Sequence, residues 1–243
     1  MDAKNRLREL ALRALHRGEA QFTRFIDPSE QNEVRAAANT AGVRVSFFGG
    51  YPDAERCVAA FYSEDEPGAY PIEAVEIRWN PKFSAVGHRD LMGAVMALGL
   101  EREALGDICL GREEGRAYVF CIPEMADYLI GALESAGRAS VKTGRADKID
   151  IAPPDGSETR ATVQALRLDA VLAAGWNLSR GEAQKLIAAG LVKLNFAEET
   201  RADRKIEEGA LISARGYGRV RVQAIEGETR RGRIAIRLFR YGK

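Results

Sequence analysis

Apolar residues recur at helical spacing from the start of the chain. Leu7, Leu10, Ala11, Ala14 and Leu15 share one face over residues 3–17, which predicts an amphipathic helix. A second helix is expected after Asp27-Pro28-Ser29, with Asp27 as cap and Pro28 in the first turn, running to about Ala41 and stopping at Gly42. Residues 43–48 and 56–62 read as strands around the turn Gly49-Gly50-Tyr51-Pro52. These elements define a small α/β unit over residues 1–68. Pro67-Gly68 and Pro71 then interrupt the pattern. Beyond them come a strand at 72–79, a helix at 89–98 ending at Gly99, and a hairpin of 108–110 with 117–122 around residues 111–115. A helix at 124–135 that stops near Gly137 and a strand at 139–141 complete the run. The order β-α-β-β-α-β predicts a ferredoxin-like layer over residues 69–146, a topology shared with RNA recognition motifs. Topology alone assigns no function. The segment Ala117-Tyr118-Val119-Phe120 comes nearest to an aromatic sheet signature. Tyr118 and Phe120 are expected to pack, with a base-stacking platform as the alternative.

Residues 147–160, with Pro153-Pro154-Asp155-Gly156-Ser157, read as a linker to a last domain over 161–243. There a short helix opens at Arg167 and turns at Gly175-Trp176-Asn177-Leu178. Ser179 stands where an N-cap belongs, and Glu182 three residues on allows a capping box. The next helix turns Ala183, Leu186 and Ile187 to one face and Arg180, Gln184 and Lys185 away from it, and ends at Gly190. Residues 191–195 form a strand with Lys193 and Asn195 opposite Val192 and Leu194. The whole chain is thus expected to be α+β.

Composition narrows the chemistry. At 46% hydrophobic and 29% charged residues, the 243-residue chain has enough apolar mass for packed cores. No apolar run approaches the roughly 20 residues of a membrane span. The polar start, Met1-Asp2-Ala3-Lys4-Asn5-Arg6, lacks the apolar core of a secretory signal, so a cytoplasmic protein is expected. Cys57, Cys109 and Cys121 are odd in number and set among apolar residues, as reduced, buried thiols would be. No CxxC or Cys/His cluster suggests a metal, and no cofactor is implied. The net charge of +1 conceals a division: residues 160–243 hold 17 Lys/Arg against 9 Asp/Glu, a formal +8, which leaves −7 for the remainder. A domain at +8 attracts polyanions, nucleic acid above all.

Cations held on a rigid helix can meet successive phosphates without reading sequence. The motif Arg167-Leu168-Asp169-x-x-Leu172, then Ser179-Arg180-x-x-Ala183-x-x-x-Ile187-x-x-Gly190-x-Val192-x-x-Asn195, resembles the RNA-binding domain of the ribosomal protein S-four type over about residues 166–222. The resemblance implies docking on folded RNA, with Arg167, Ser179, Arg180, Lys185 and Lys193 facing it and Asn195 in the turn. That family often places Gly after the Asn, where this chain has Phe196. The turn geometry is therefore open, and Phe196 is expected to pack. Farther on, Arg215-Gly216-Tyr217-Gly218-Arg219 sets an aromatic between two arginines. It reads either as a stacking contact for a base or as a β-turn with an exposed Tyr.

The middle of the chain, His88-Arg89-Asp90-Leu91-Met92-Gly93-Ala94 through Gly106-Asp107-Ile108, Ala126-Asp127 and Gly137-Arg138-Ala139-Ser140-Val141, is similar to the YlmH family. That resemblance implies a bacterial protein with an RNA-binding central domain and a C-terminal S-four-type domain; cyanobacterial and plastid relatives bear a photosystem-linked name. It also implies a part in rescuing stalled large ribosomal subunits that carry peptidyl-tRNA, with a genetic link to cell division. Ribosomal RNA, tRNA and the large subunit become the expected partners.

Three local signals compete. His88-Arg89-Asp90 matches a kinase catalytic triplet, but no Gly-rich loop or Asp-Phe-Gly accompanies it. Asp90 is better placed to favour a helix start, while His88 and Arg89 are candidate secondary RNA contacts. Asp169 matches the catalytic aspartate of pseudouridine synthases, which often carry an S-four-type domain, yet here it lies inside the binding signature itself. Trp176 is expected in a core or turn. Binding without catalysis is the leading expectation. An RNA-modifying enzyme of pseudouridine synthase or methyltransferase type, targeted by this domain, is the alternative, and a DNA-binding or adaptor protein a third.

Overall fold

In the computed structural model, residues 3–242 are described, and the chain divides into two units, one ending at Pro153 and the other beginning at Pro154. Met1 and Asp2 of the polar start, and Lys243, lie outside the described residues. The protein is α+β. No helix among the described residues is long and apolar enough to cross a membrane.

The first unit begins with α1 (Ala3–Arg17), β1 (Gln21–Ile26), α2 (Gln31–Ala41), β2 (Arg44–Phe48) and β3 (Cys57–Tyr62). Gly42 ends α2 at φ +72°, the left-handed cap its position suggested. β1 was absent from the sequence expectation. Its alternation is broken by a register shift between Phe22 and Phe25, which blurs the period-2 signal. The three strands form an antiparallel sheet in the order β1-β3-β2. Its central strand, Cys57-Val58-Ala59-Ala60-Phe61-Tyr62, is buried at every position. Such a strand needs cover on both faces. Ala59 and Phe61 pack with Ala11, Ala14, Val34 and Ala38 of α1 and α2. Val58 and Phe25 pack the other way, against a second sheet.

That sheet comprises β4 (Glu73–Arg78), β5 (Leu105–Leu110), β6 (Arg116–Cys121) and β9 (Lys142–Arg145), accompanied by α3 (His88–Ala97) and α4 (Pro123–Ala132). The antiparallel order β5-β6-β4-β9 is that of the ferredoxin-like layer. One strand is corrected. Residues 139–141 were expected to return to the sheet. Instead β7 (Ser135–Ala136) and β8 (Ala139–Ser140) form their own hairpin about Gly137, at φ +60°, and residues 142–145 pair with β4. The helix before them ends at Ala132, short of the expected Ser135, because the tight hairpin needs those residues.

α3 and α4 cover one face of this sheet through Leu91, Val95, Ala126 and Leu129 on Val75, Ile77 and Val119. Tyr118 and Phe120 point to the other face and pack with Phe25, Val58 and Ile122. They are 1% and 0% exposed, so they are packing residues, and no aromatic platform is open on this sheet. Two glycines permit the close approach of the layers. A Cβ at Gly106 would lie 2.5 Å from the Phe25 ring, and one at Gly50 would lie 2.3 Å from the Phe120 ring. Arg56, buried between them, donates to the carbonyls of Leu105 at 2.8 Å and Arg102 at 2.9 Å and pairs with Asp27. Asp107 accepts from the Tyr51 hydroxyl at 2.9 Å and the Glu55 amide at 2.7 Å. Burial pushes the thiols of Cys57 and Cys109 up to about 11 and that of Cys121 to about 12, so all three stay protonated at neutral pH.

The second unit contains β10 (Gly156–Val163), α5 (Leu168–Trp176), α6 (Arg180–Ala188), β11 (Val192–Leu194), β12 (Ala197–Glu198), β13 (Leu211–Ala214), β14 (Gly218–Glu228) and β15 (Ile234–Tyr241). They make one antiparallel sheet, β10-β15-β14-β13-β11-β12, whose inner residues Val220, Val222, Ile236 and Leu238 share a core with α5 and α6. The stretch expected as a linker is held at both ends. Ala152 donates to the Leu110 carbonyl at 2.9 Å, and β10 pairs with β15 from Gly156 onward.

Candidate nucleic-acid interface

α5 opens with an apolar run that leaves no polar face: Leu168 through Ala173 are all buried, Asp169 among them at 0% exposure. A carboxylate without water must find donors or lose its charge. Asp169 finds three side chains. Arg167 donates from Nε at 3.2 Å and Nη2 at 3.3 Å, Arg180 from Nη2 at 2.9 and 3.0 Å, and Gln184 from Nε2 at 2.9 Å. Burial alone would raise its pKa. The Gln184, Arg167 and Arg180 hydrogen bonds and the Arg180 charge outweigh burial and hold the carboxyl below its ordinary value.

The helical hairpin makes this convergence geometrically available. α5 ends on Asn177, whose left-handed φ of +53° reverses the chain in two residues. Ser179 then caps α6: its Oγ accepts from the Glu182 amide at 3.2 Å, and Glu182 accepts from the Ser179 amide at 2.8 Å and hydroxyl at 2.7 Å. The capping box anticipated from spacing is present. It also occupies the Ser179 hydroxyl, so that predicted RNA-facing group acts first as the device that starts α6. Arg180 and Gln184, one turn apart, then reach the same carboxylate. The arginines remain half in solvent, with side-chain exposures of 41% for Arg167 and 49% for Arg180. Two guanidinium groups are thereby held in fixed orientation on a buried anion, with part of each left for an external acceptor. Guanidinium suits that use because its five donors serve two partners at once.

The other predicted residues sit around this centre rather than in it. Lys185 is exposed on α6. Lys193 is exposed on β11, opposite Ser213 on one side and Glu198 on the other. Asn195 locks its turn, its side-chain oxygen accepting from the Leu211 amide at 2.9 Å. Arg215 and Tyr217 lie in the β13–β14 turn, and Arg219 follows it on β14, paired with Ser213. The Tyr217 carbonyl accepts from the Trp176 indole at 3.0 Å and the two rings meet edge to face at 6.1 Å, so Trp176, expected in a core or turn, ends α5 and packs against the core beside the β13–β14 turn. Arg219 lies over the Tyr241 ring, 5.0 Å from its centroid. His88 and Arg89 are exposed at the start of α3, in the first unit, where Asp90 accepts from the Gly87 amide at 2.9 Å, the helix-start role expected of it.

Two features escaped the sequence reading. Asp169 as the anchor is one; its acidic side chain ran against a search for cations. The other is the segment 201–205, which runs along the start of α5: Arg204 and Ala202 carbonyls accept from the Leu168 and Asp169 amides at 2.9 and 3.0 Å, and Lys205 bridges Arg167. Arg204 and exposed Lys205 thus adjoin the Arg167 side of the platform. The cluster Arg201-x-x-Arg204-Lys205 was visible as charge, but no periodic element anchored it.

The Phe196 turn has a definite form. Asn195 at φ +48° and Phe196 at φ +68° are both left-handed, as a two-residue hairpin of the primed type requires. Phe196 therefore takes up the conformation that Gly would hold without strain. Left-handed backbone costs a Cβ-bearing residue about 1–2 kcal/mol, and Gly forfeits about 0.5–1 kcal/mol of that gain to chain entropy. Phe196→Gly should raise the melting temperature of this unit by a few degrees, in a thermal denaturation followed by circular dichroism; a drop would mean that the half-buried ring packs for more than the turn costs.

Among the described residues, no group of three or more His, Cys, Asp or Glu side chains is placed to hold a metal ion. Comparison with known proteins agrees with the domain types. Residues 2–65 match the family description "YlmH, N-terminal", residues 66–149 match "Putative RNA-binding domain in YlmH", and residues 166–212 match the S4 domain. A protein of Bacillus subtilis (strain 168), "Ribosome-associated protein quality control protein P2", is 35% identical over 221 residues, covering 89% of this chain and 85% of its own length. The structure titled "Cell division protein ylmH from Streptococcus pneumoniae" aligns with a TM-score of 0.48 at 25% identity, over 60% of this chain and 92% of its own.

Proposed function

Because the chain belongs to the YlmH family, whose central and S4 domains are RNA-binding types, we propose that it docks without catalysis on structured RNA of the large ribosomal subunit, ribosomal RNA or bound tRNA, in ribosome-associated quality control. The observation that carries this reading is the pair of guanidinium groups fixed on buried Asp169. A preset pair of cations matches two phosphates of a folded RNA better than it matches a flexible polyanion, because the RNA phosphates are themselves at fixed spacing. The same carboxylate, enclosed by its donors, is poorly suited to attack or deprotonate a substrate, which argues against the pseudouridine synthase alternative. The formal +8 of residues 160–243 supplies the long-range attraction.

The direct test is sedimentation of a cell lysate through sucrose gradients at low and high salt, with immunodetection of this protein. Salt-sensitive co-migration with large subunits is expected; a protein that stays at the top at every salt concentration removes the ribosome as a stable partner. On purified protein, Arg180→Ala and Lys185→Ala should each weaken binding across RNA sequences and lower the slope of log affinity against log salt by about one for every phosphate no longer neutralised. Unchanged affinity and slope in both variants would dismiss this face.

A further inference from the structure

The central domain, if it meets RNA, cannot do so as an RNA recognition motif does. The face of its sheet that would carry stacked bases holds Tyr118 and Phe120 under Phe25 and Val58, and the opposite face lies under α3 and α4. Both faces are closed by the protein's own layers. A contact must come from a loop or from the outer faces of the helices.

One loop has the required chemistry. Residues 79–89, the β4–α3 connection with the first two residues of α3, contain Lys82, His88 and Arg89 and no Asp or Glu, in a portion of the chain that is acidic overall, and Asp90 just beyond them accepts from the Gly87 amide. At its tip stands Phe83, 85% exposed, far beyond any other large apolar side chain described. Covering this ring would gain about 25 cal/mol for each Å² of apolar surface removed from water, so the ring offers binding energy to a partner that can stack on it. The loop is also built to hold the ring out. The Asn80 side chain accepts from the Lys82 amide at 3.0 Å and its carbonyl accepts from the Phe83 amide at 3.2 Å, which closes a tight turn under the ring. Pro81 rests against Gly115 of the β5–β6 turn so closely that a Cβ there would lie 2.9 Å from Pro81 Cδ, and the Trp79 amide donates to the Gly115 carbonyl at 2.9 Å. At the other end Val86 packs into the core below α3. Lys82, His88 and Arg89 are all exposed. Of the acids on the neighbouring β5–β6 turn, Glu113 is paired with Arg116 at 3.0 Å, and Glu114 is exposed.

We propose that the 79–89 loop is a second RNA contact, in which Phe83 stacks on an unpaired base while Lys82, His88 and Arg89 meet the flanking phosphates. An aromatic ring among cations is the general solution for single-stranded nucleic acid: each base has a π-face to stack and each nucleotide a phosphate to pair. Rigid presentation favours it, because a ring already fixed in place loses little freedom on binding. The inference rests on the RNA-binding reading above and assigns the central domain its own share of the contact, selective for unpaired nucleotides.

The test uses the full chain and two probes, an RNA stem-loop with 4-thiouridine in its unpaired loop and a blunt duplex of the same stem. After irradiation, mass spectrometry should place adducts on Phe83 as well as in the second unit. Phe83→Ala should abolish the first set, weaken stem-loop binding by about five- to a hundred-fold, and leave duplex binding and the melting temperature unchanged, since the ring supports nothing in the fold. Adducts confined to residues 156–242, with Phe83→Ala binding both probes as the parent does, would overturn this site while leaving the RNA-binding reading intact. Failure of the parent protein to bind either probe would sink the RNA-binding reading itself, and this site with it.

Discussion

Asp169→Ala should weaken RNA binding by about tenfold or more, although it removes a negative charge from the RNA-facing region. On charge alone the opposite is expected, because one carboxylate fewer raises the formal charge of the second unit and should strengthen phosphate binding. Orientation decides the sign. Arg167, Arg180 and Gln184 hold their positions through that carboxylate. Released, each must be ordered by the RNA at a cost of about 0.5–1.5 kcal/mol per side chain, more than one added charge at a screened surface returns. Fluorescence anisotropy with a structured RNA measures the outcome; equal or tighter binding by the variant would show that the arginines act as mobile charges. The fold should suffer too, by about 2–3 kcal/mol in urea denaturation, since several charge-assisted hydrogen bonds disappear together with a buried side chain. Asp169→Asn should restore little of the binding, because the charge is lost and one of the two accepting oxygens becomes an NH2 that faces donors.

The same group carries a pH dependence of known sign. Its carboxyl is held below the ordinary value in the folded protein, so its contribution is full above the unfolded value near 4 and fades as pH falls through the lower, folded value. The stability gap between the parent and Asp169→Ala should therefore narrow on acidification below about pH 4 and stay level from pH 5 to 8.

A second large effect is expected at Arg56. Its guanidinium, buried between the two sheets of the first unit, satisfies the carbonyls of Leu105 and Arg102 and pairs with Asp27. Arg56→Ala leaves those carbonyls without a donor and opens a cavity where the layers meet, a loss of about 2–4 kcal/mol. Arg56→Lys should rescue little, because one ammonium cannot reach carbonyls and carboxylate in the fork geometry. Urea unfolding of both variants tests this. A loss under about 1 kcal/mol would mean that water replaces the guanidinium at no great cost.

Legibility in the sequence followed periodicity. α1, α2 and the α5–α6 hairpin could be placed because their apolar spacing, Ser179 with Glu182, and Gly42 are local signals. β1 and β9 were missed for complementary reasons: the Phe22–Phe25 bulge breaks alternation in one, and Lys142-Thr143-Gly144-Arg145 has too little apolar content to read as a strand at all. Pairing of β9 beside β4 is a tertiary fact, as is the meeting of Tyr118 with Phe25 across nearly a hundred residues. At the interface, Arg167, Arg180, Gln184 and Lys185 were named as cations or polar groups on a face. That three of them serve a single buried acid follows from the packing angle of two helices, which no spacing rule encodes. Phe83 was passed over because a lone aromatic in a Pro-containing loop reads as ordinary loop packing until its exposure is known.

The double closure of the central sheet bears on how such a protein can vary. In a sheet with one wet face, alternate residues are free to drift, and new binding chemistry can arise there one substitution at a time. β6 offers no such freedom: from Ala117 to Cys121 each side chain answers to the helices or to the neighbouring sheet in turn. Selection for a new ligand must therefore work on the loops and on the outer faces of the helices, while the strands between them are kept as a frame. Relatives that bind different RNAs should differ most in the 79–89 loop and least in β3 and β6.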